Sequence, residues 1–215
     1  MKNLLYKEFR LVVNPLYYLV SLTAALLLIP QWPYFIAMMY LFFITVPNLF
    51  SGSKSQNDIG FTVMLPVRKG DVVRARVLAI VVLEMVQLAA SVVFAVLNVA
   101  LYRMENFLLD PNVAFFGLTF VMYGLFNLIY FPMFYKTPYK TGIPTLTAVT
   151  VTILFALGVE MAVLFLPEVK HALDGISGEA LLRQLPVLAA GIAVFGLLTW
   201  LGCRLSVKRF EKVDL

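Results

Sequence analysis

Six apolar blocks, each long enough to cross a bilayer, leave this chain few ways to fold. They cover residues 12–29, 34–50, 77–102, 113–135, 143–166 and 185–203. A bilayer core about 30 Å thick needs about 20 helical residues. In lipid, only helices or closed barrels satisfy their own backbone. Hydrophobic residues make up 61% of the chain and charged residues 13%, whereas soluble domains hold about 45–50% and about 25%. The fifth block contains the alternating, β-branched run Thr145–Leu154, which taken alone suggests a strand. Its uninterrupted apolar length argues for a helix instead. The expectation is an all-α membrane protein with six transmembrane helices, forming a single transmembrane domain over 1–215. The first two blocks are the shortest and are joined by Pro30-Gln31-Trp32-Pro33, a proline-bounded turn with an interfacial tryptophan. A shallow re-entrant hairpin is the alternative for that pair.

Six crossings place both termini on one side, and the basic residues choose the side. Lys2, Lys7 and Arg10 precede the first block. Lys54, Arg68, Lys69, Arg74 and Arg76 lie in the loop 51–76, and Lys136 and Lys140 in the next loop on that side. Arg204, Lys208, Arg209 and Lys212 follow the last block. These are 14 of the 17 Lys and Arg residues. Arg103, Lys170 and Arg183 are left for the opposite face. The bias predicts cytoplasmic termini and a cytoplasmic long loop, with 167–184 as an extracellular loop holding a short helix near Gly178. The basic pI thus reports topology and implies no nucleic-acid partner. In residues 1–13 and the Asn14 that follows, Asn3, Lys7, Arg10 and Asn14 fall on one helical face and Leu4, Leu5, Phe9, Val12 and Val13 largely on the other. That pattern suits an amphipathic helix in the headgroup layer, or merely the polar start of the first crossing. No cleavable signal peptide is expected.

Several chemistries lack their residues. No P-loop, HExxH or GxSxG occurs, so no catalytic residues, metal site or cofactor are expected in this chain. The lone His171 and lone Cys203 give no metal cluster and no internal disulfide. Within the membrane, Glu84, Gln87, Ser91 and Asn98 form one polar stripe, and Tyr123, Asn127 and Tyr130 another. A central charge costs about 2.5–3.5 kcal/mol on insertion scales, so such residues face protein or water. They mark either a polar path or interhelical hydrogen bonds. Glu160, near the outer end of the fifth block, either joins them or snorkels.

The loop 51–76 is the longest polar interval. Ser55-Gln56-Asn57-Asp58 has helix-start composition, with Asn57 or Asp58 as the cap. Ile59, Phe61, Met64 and Leu65 then form a short apolar face ended by Pro66. A second helix opens at Arg68–Asp71 and runs through Arg74 and Arg76 into the third crossing. Arg68–Arg76 reads as an anchor at the headgroups. The short helix is either a docking element for a soluble partner or an element lying on lipid.

The layout and a few residues resemble the membrane subunits of ABC-2 type transporters. Lys7-Glu8-Phe9-Arg10 resembles that family's elbow helix. The run from Met64 to Arg76, Met-Leu-Pro-Val-Arg-Lys-Gly-Asp-Val-Val-Arg-Ala-Arg, resembles the Leu-Pro-Val/Ile-Ser-Arg segment before the third crossing. The serine is absent, and Arg74 or Arg76 replaces a later lysine. The chain is most similar to small, separately encoded bacterial permeases, including exporters of amphipathic or antimicrobial peptides. The resemblance implies an ABC-2 exporter-like fold with an N-terminal elbow helix and a cytoplasmic coupling helix over about 56–65. It implies a permease subunit in the bacterial cytoplasmic membrane, forming the path for a hydrophobic or amphipathic substrate. Two copies would pair as a homodimer and bind two separate ABC ATP-binding subunits, which would hold ATP and Mg. Asn57, Asp58, Ile59, Phe61, Thr62 and Leu65 would contact the ATPase, and the turn 136–141 would make a minor contact. The second and fifth crossings would line the path, through Met38, Phe42 and Thr45 and through Thr145, Val149 and Thr152, unless these faces serve ordinary packing. A proton-coupled transporter using Glu84 and a non-transporting scaffold or sensor remain the alternatives.

Overall fold

The computed structural model describes residues 2–102, 106–137 and 140–213. Among these residues all regular structure is helical. We label the helices α1 (Lys2–Val12), α2 (Leu16–Leu28), α3 (Tyr34–Ser55), α4 (Asp58–Met64), α5 (Lys69–Tyr102), α6 (Val113–Lys136), α7 (Gly142–Phe165), α8 (Pro167–Leu173) and α9 (Gly178–Phe210). Five of them, α3, α5, α6, α7 and α9, are long and apolar enough to cross a membrane. The bent pair α1–α2, with 75° between its halves, makes a sixth if taken as one span. The expected all-helical, multi-spanning fold is the one observed.

The bend follows from Asn14-Pro15. Pro15 cannot continue the ladder of the preceding turn, and Asn14 Oδ1 accepts from Leu16 N at 2.9 Å to start α2. The last nine residues of α2, Val20–Leu28, wind as a 3₁₀ helix. That winding rises about 2.0 Å per residue, so 13 residues reach about 24 Å, not the about 20 Å of an α-helix. The turn at 30–33 carries Gln31 in the left-handed region, with φ 59°.

α3 reaches past the expected end at 50 because Pro47 is accommodated, not obeyed as a stop. Its missing N–H releases a carbonyl one turn earlier, and the chain there takes a π-helical turn over Leu41–Thr45. The expected short helix at 178 is no separate element but the first turns of α9. Ser177 Oγ caps it by accepting from Ala180 N. The unforeseen helix α8 starts on Pro167, a favourable first helical position.

α6 and α9 form the most extensive helix pair. Glycine makes this possible: a Cβ on Gly191 would lie 2.1 Å from the Gly117 carbonyl oxygen, and one on Gly202 would lie 2.8 Å from that of Asn127. Without a hydrophobic driving force in lipid, such close backbone approach is a main source of association. The core along α6 is an aromatic column. Phe126 stacks on Phe42 at 3.8 Å and on Tyr130 at 5.1 Å, and Phe50 meets Phe134 edge-on at 4.4 Å. At the end remote from the termini, polar side chains tie the turns together. Glu160 Oε2 accepts from Leu109 N at 3.0 Å, Asp174 Oδ1 accepts from Asp110 N at 3.1 Å, and Asn112 Nδ2 donates to Leu173 O at 2.9 Å.

Candidate functional site

The end that carries both termini holds a buried ionic cluster drawn from four helices. Its centre is Arg76, in the second turn of α5 and only 1% exposed. A guanidinium offers five donors in a planar fork. Here Nε bonds Glu8 Oε2 and Nη2 bonds Glu8 Oε1 at 3.2 Å, a two-pronged grip on α1. Nη1 donates to Ser53 Oγ at 2.7 Å on α3. Nη2 also donates to Asp58 Oδ2 at 2.6 Å on α4. The guanidinium Cζ lies over the Phe50 ring, 5.6 Å from its centroid. Lys7 completes the cluster, with Nζ 2.6 Å from Asp58 Oδ1 and 2.6 Å from Thr62 Oγ1. Two cations and two carboxylates thus balance in one pocket.

Balance is what allows the burial. An unpaired charge there would cost several kcal/mol in desolvation. Burial opposes the charge on Asp58, but the Lys7 hydrogen bond and the nearby Arg76 and Lys7 charges outweigh it and hold its carboxyl below the ordinary 3.8. This overturns one expectation. Arg76 does not anchor α5 at the headgroups; it turns inward because Glu8, Ser53 and Asp58 converge on it. Arg74, two residues earlier, does face outward and pairs with Asp71 at 3.1 Å.

The cluster fixes α4, a helix too short to persist alone. Asn57 precedes it in the left-handed region, with φ 49°, where asparagine is more tolerant than most residues. A Cβ on Gly60 would meet Asn57 Oδ1 at 2.7 Å, so glycine leaves room for that side chain. Of the expected contact residues, Asp58 and Thr62 point into the cluster and Thr62 is buried. Phe61, at 64% exposure, and Leu65 stand outward beside Met64, at 83%, and Asn57 is exposed with them. The side chain of Ile59 lies outside the described residues, as do residues 138–139 of the turn 136–141. The result is a polar root and a bare apolar crown on one short helix.

The other expected groups lie within the bundle. Met38, Phe42 and Thr45 are fully buried, with Phe42 against Phe126 and Tyr123. Thr45 closes the π-helical turn, and α7 touches α3 there. On α7, Thr152 is buried and Thr145 and Val149 are half-buried. Both hydroxyls bond their own helix, Thr145 to Thr141 O at 2.8 Å and Thr152 to Val149 O at 2.9 Å. The turn that ends in Thr45 thus touches α7, while Phe42 and the Met38 carbonyl pack against α6. The polar stripes meet too. Asn127 Nδ2 donates to Glu84 Oε2 and to Thr199 Oγ1, each at 3.1 Å. Gln87 Nε2 donates to Ala37 O at 3.3 Å and Asn98 Nδ2 to Leu27 O at 2.6 Å. Tyr123 OH donates to Met38 O at 3.3 Å. These bonds knit α5 and α6 to their neighbours.

A family model described as ABC-2 family transporter protein matches residues 3–211. No curated protein and no solved structure matches the chain significantly.

Proposed function

This chain belongs to the ABC-2 transporter family, and on that premise we propose that it is the membrane-spanning half of an ATP-driven exporter, with α4 as the element on which the motor acts. The family is the permease component of ABC transporters and implies association with an ABC ATP-binding subunit. In the proposed assembly two copies of the chain pair and each carries one such subunit, which holds ATP and Mg. Both termini face the cytoplasm of a bacterial cell.

One observation carries the mechanism: a single side chain of α5, Arg76, binds α1, α3 and α4. A push on the exposed crown of α4, at Phe61, Met64 and Leu65, cannot be absorbed by α4 alone. It passes through Asp58 to Arg76, and from there to the elbow α1 and the base of α5. α3, held through Ser53, brings with it the π-helical turn that faces α7. Closure of the nucleotide subunits would thus change the relation of the Leu41–Thr45 turn of α3 to α7, which carries Thr152. The walls there are apolar with few hydroxyls, which suits a hydrophobic or amphipathic cargo such as a peptide. No bond-making step belongs to this chain.

The test is ATP-driven export in vesicles reconstituted with the permease and the ATP-binding subunit encoded beside it. Phe61→Asp places a charge on the crown without touching the root. Export falls to background while ATP hydrolysis loses its dependence on the permease. Full ATP-driven export by Phe61→Asp contradicts the proposal.

A further inference from the structure

The half of the bundle remote from the termini carries an apolar groove that the motor does not need. It encloses about 710 Å³ between α5, α6 and α9, with Leu88, Val92, Val96, Phe116, Leu188 and Ile192 on its walls. The α5 wall runs from Leu88 to Ala100, a helical length of about 18 Å. Leu88 stands near the middle of the apolar stretch of α5, and Pro111–Val113 close the groove at the remote interface. The groove therefore spans about one leaflet, half of a core about 30 Å thick.

Its chemistry and size select the occupant. Water needs two to four polar partners. Asn112 is the polar side chain on the described walls, and its bonds are taken: Nδ2 donates to Leu173 O and Gly175 O, and Oδ1 accepts from Phe115 N. Helices associate closely in lipid through small residues or free polar groups, whereas Val92, Val96, Phe116, Leu188 and Ile192 are bulky and Asn112 is already bonded, so the groove is a poor seat for a helix of a second copy. A single extended hydrocarbon chain fits both the length and the volume. We propose that the groove holds one acyl chain of a phospholipid from the leaflet remote from the termini, as a resident lipid in contact with α5, α6 and α9. Its tip would end one helical turn above Glu84, whose bond to Asn127 ties α5 to α6 below the groove. The lipid would then complete the α5–α6 contact above that bond. The proposal requires a bilayer but no ATP-binding subunit, so it stands or falls apart from the export mechanism.

The experiment uses the full chain, alone, in nanodiscs containing a phosphatidylglycerol with a diazirine on one acyl chain. After illumination, labelled peptides are quantified by mass spectrometry. The expected result is several-fold more label on the segments 88–100 and 113–120 than on 153–161 of α7, where Leu154 and Leu157 are exposed on a face outside the groove. Val96 faces the groove and is 63% exposed, so Val96→Trp fills the space without entering the core. It lowers groove labelling to the α7 level and leaves α7 labelling unchanged. If that variant does not fold, Ala100→Phe is judged by the same criterion. Equal labelling of the two faces, or groove labelling indifferent to the filling variant, overturns the proposal. So does groove labelling below that of α7, which would mean that protein covers the face.

Discussion

Arg76 Nη2 lies 2.6 Å from Asp58 Oδ2, and that contact joins the short helix α4 to the base of a helix that crosses the membrane. The same guanidinium holds Glu8 on α1 and Ser53 on α3. A helix of seven residues has no stability of its own in water. Its position is set by this bond and by the Lys7 contacts beside it.

Removing one partner of such a pair strands the others. Arg76→Ala should destabilise the termini-bearing end by about 3–5 kcal/mol, the usual cost of breaking a buried pair. Arg76→Lys should recover only part of this, because an ammonium cannot reproduce the fork that meets Glu8 and Asp58 together. Hydrogen exchange reads the effect locally: amides of 56–65 lose protection in Arg76→Ala while those of α6 keep theirs.

Protonation gives the same cut without a mutation. The pKa of Asp58 is lower in the folded chain than its ordinary 3.8. Its contribution is therefore complete above 3.8 and is lost as pH falls through the lower folded value. Protease cleavage within 55–66 should stay slow at pH 5 and rise below 3.8. In Asp58→Asn cleavage should be faster at pH 5 and flat across this range.

Much of this fold was legible because lipid leaves so few solutions. Long apolar blocks had to be helices, and the loop 51–76, the longest polar interval between them, had to lie outside the bilayer core. Arg76 was not legible. An arginine where a span meets a polar loop reads as a headgroup anchor, and its inward turn depends on Glu8, 68 residues away. Asp58 and Thr62 were assigned to a partner for a similar reason: pattern places them on α4 but does not say which side has its mates within the chain. The π-helical turn at Leu41–Thr45 depends on Pro47 being tolerated in a helix, which local sequence argues against.

The glycines of α6 and α9 were equally hidden, since Gly117 and Gly191 belong to different segments. Gly191→Ala should cost about 1–3 kcal/mol through forced separation of the pair, seen as a lower unfolding temperature in detergent. Gly196 on the same helix has nothing within 4 Å of an added Cβ. Gly196→Ala should be neutral or should gain up to about 1 kcal/mol from helix propensity. Equal effects of the two substitutions would contradict close packing as the cause.

Glu84 and Asn127 bond within the bundle, and a glutamine can accept the same N–H. Glu84→Gln should therefore leave ATP-driven export essentially intact. Glu84→Ala should lower stability, because Asn127 loses its acceptor. Export that vanishes in Glu84→Gln while folding is unchanged would point to a proton-coupled transporter instead.

A motor subunit that grips the crown of α4 while Arg76 holds its root must lose its hold when the crown alone is changed. The most direct measurement is the affinity of the purified ATP-binding subunit for the permease in nanodiscs, by biolayer interferometry. The wild-type chain should bind it. Phe61→Asp should abolish binding while residues 56–65 retain their exchange protection, which shows the root intact. Binding by Phe61→Asp at wild-type affinity would contradict the claim, as would a wild-type chain that does not bind at all.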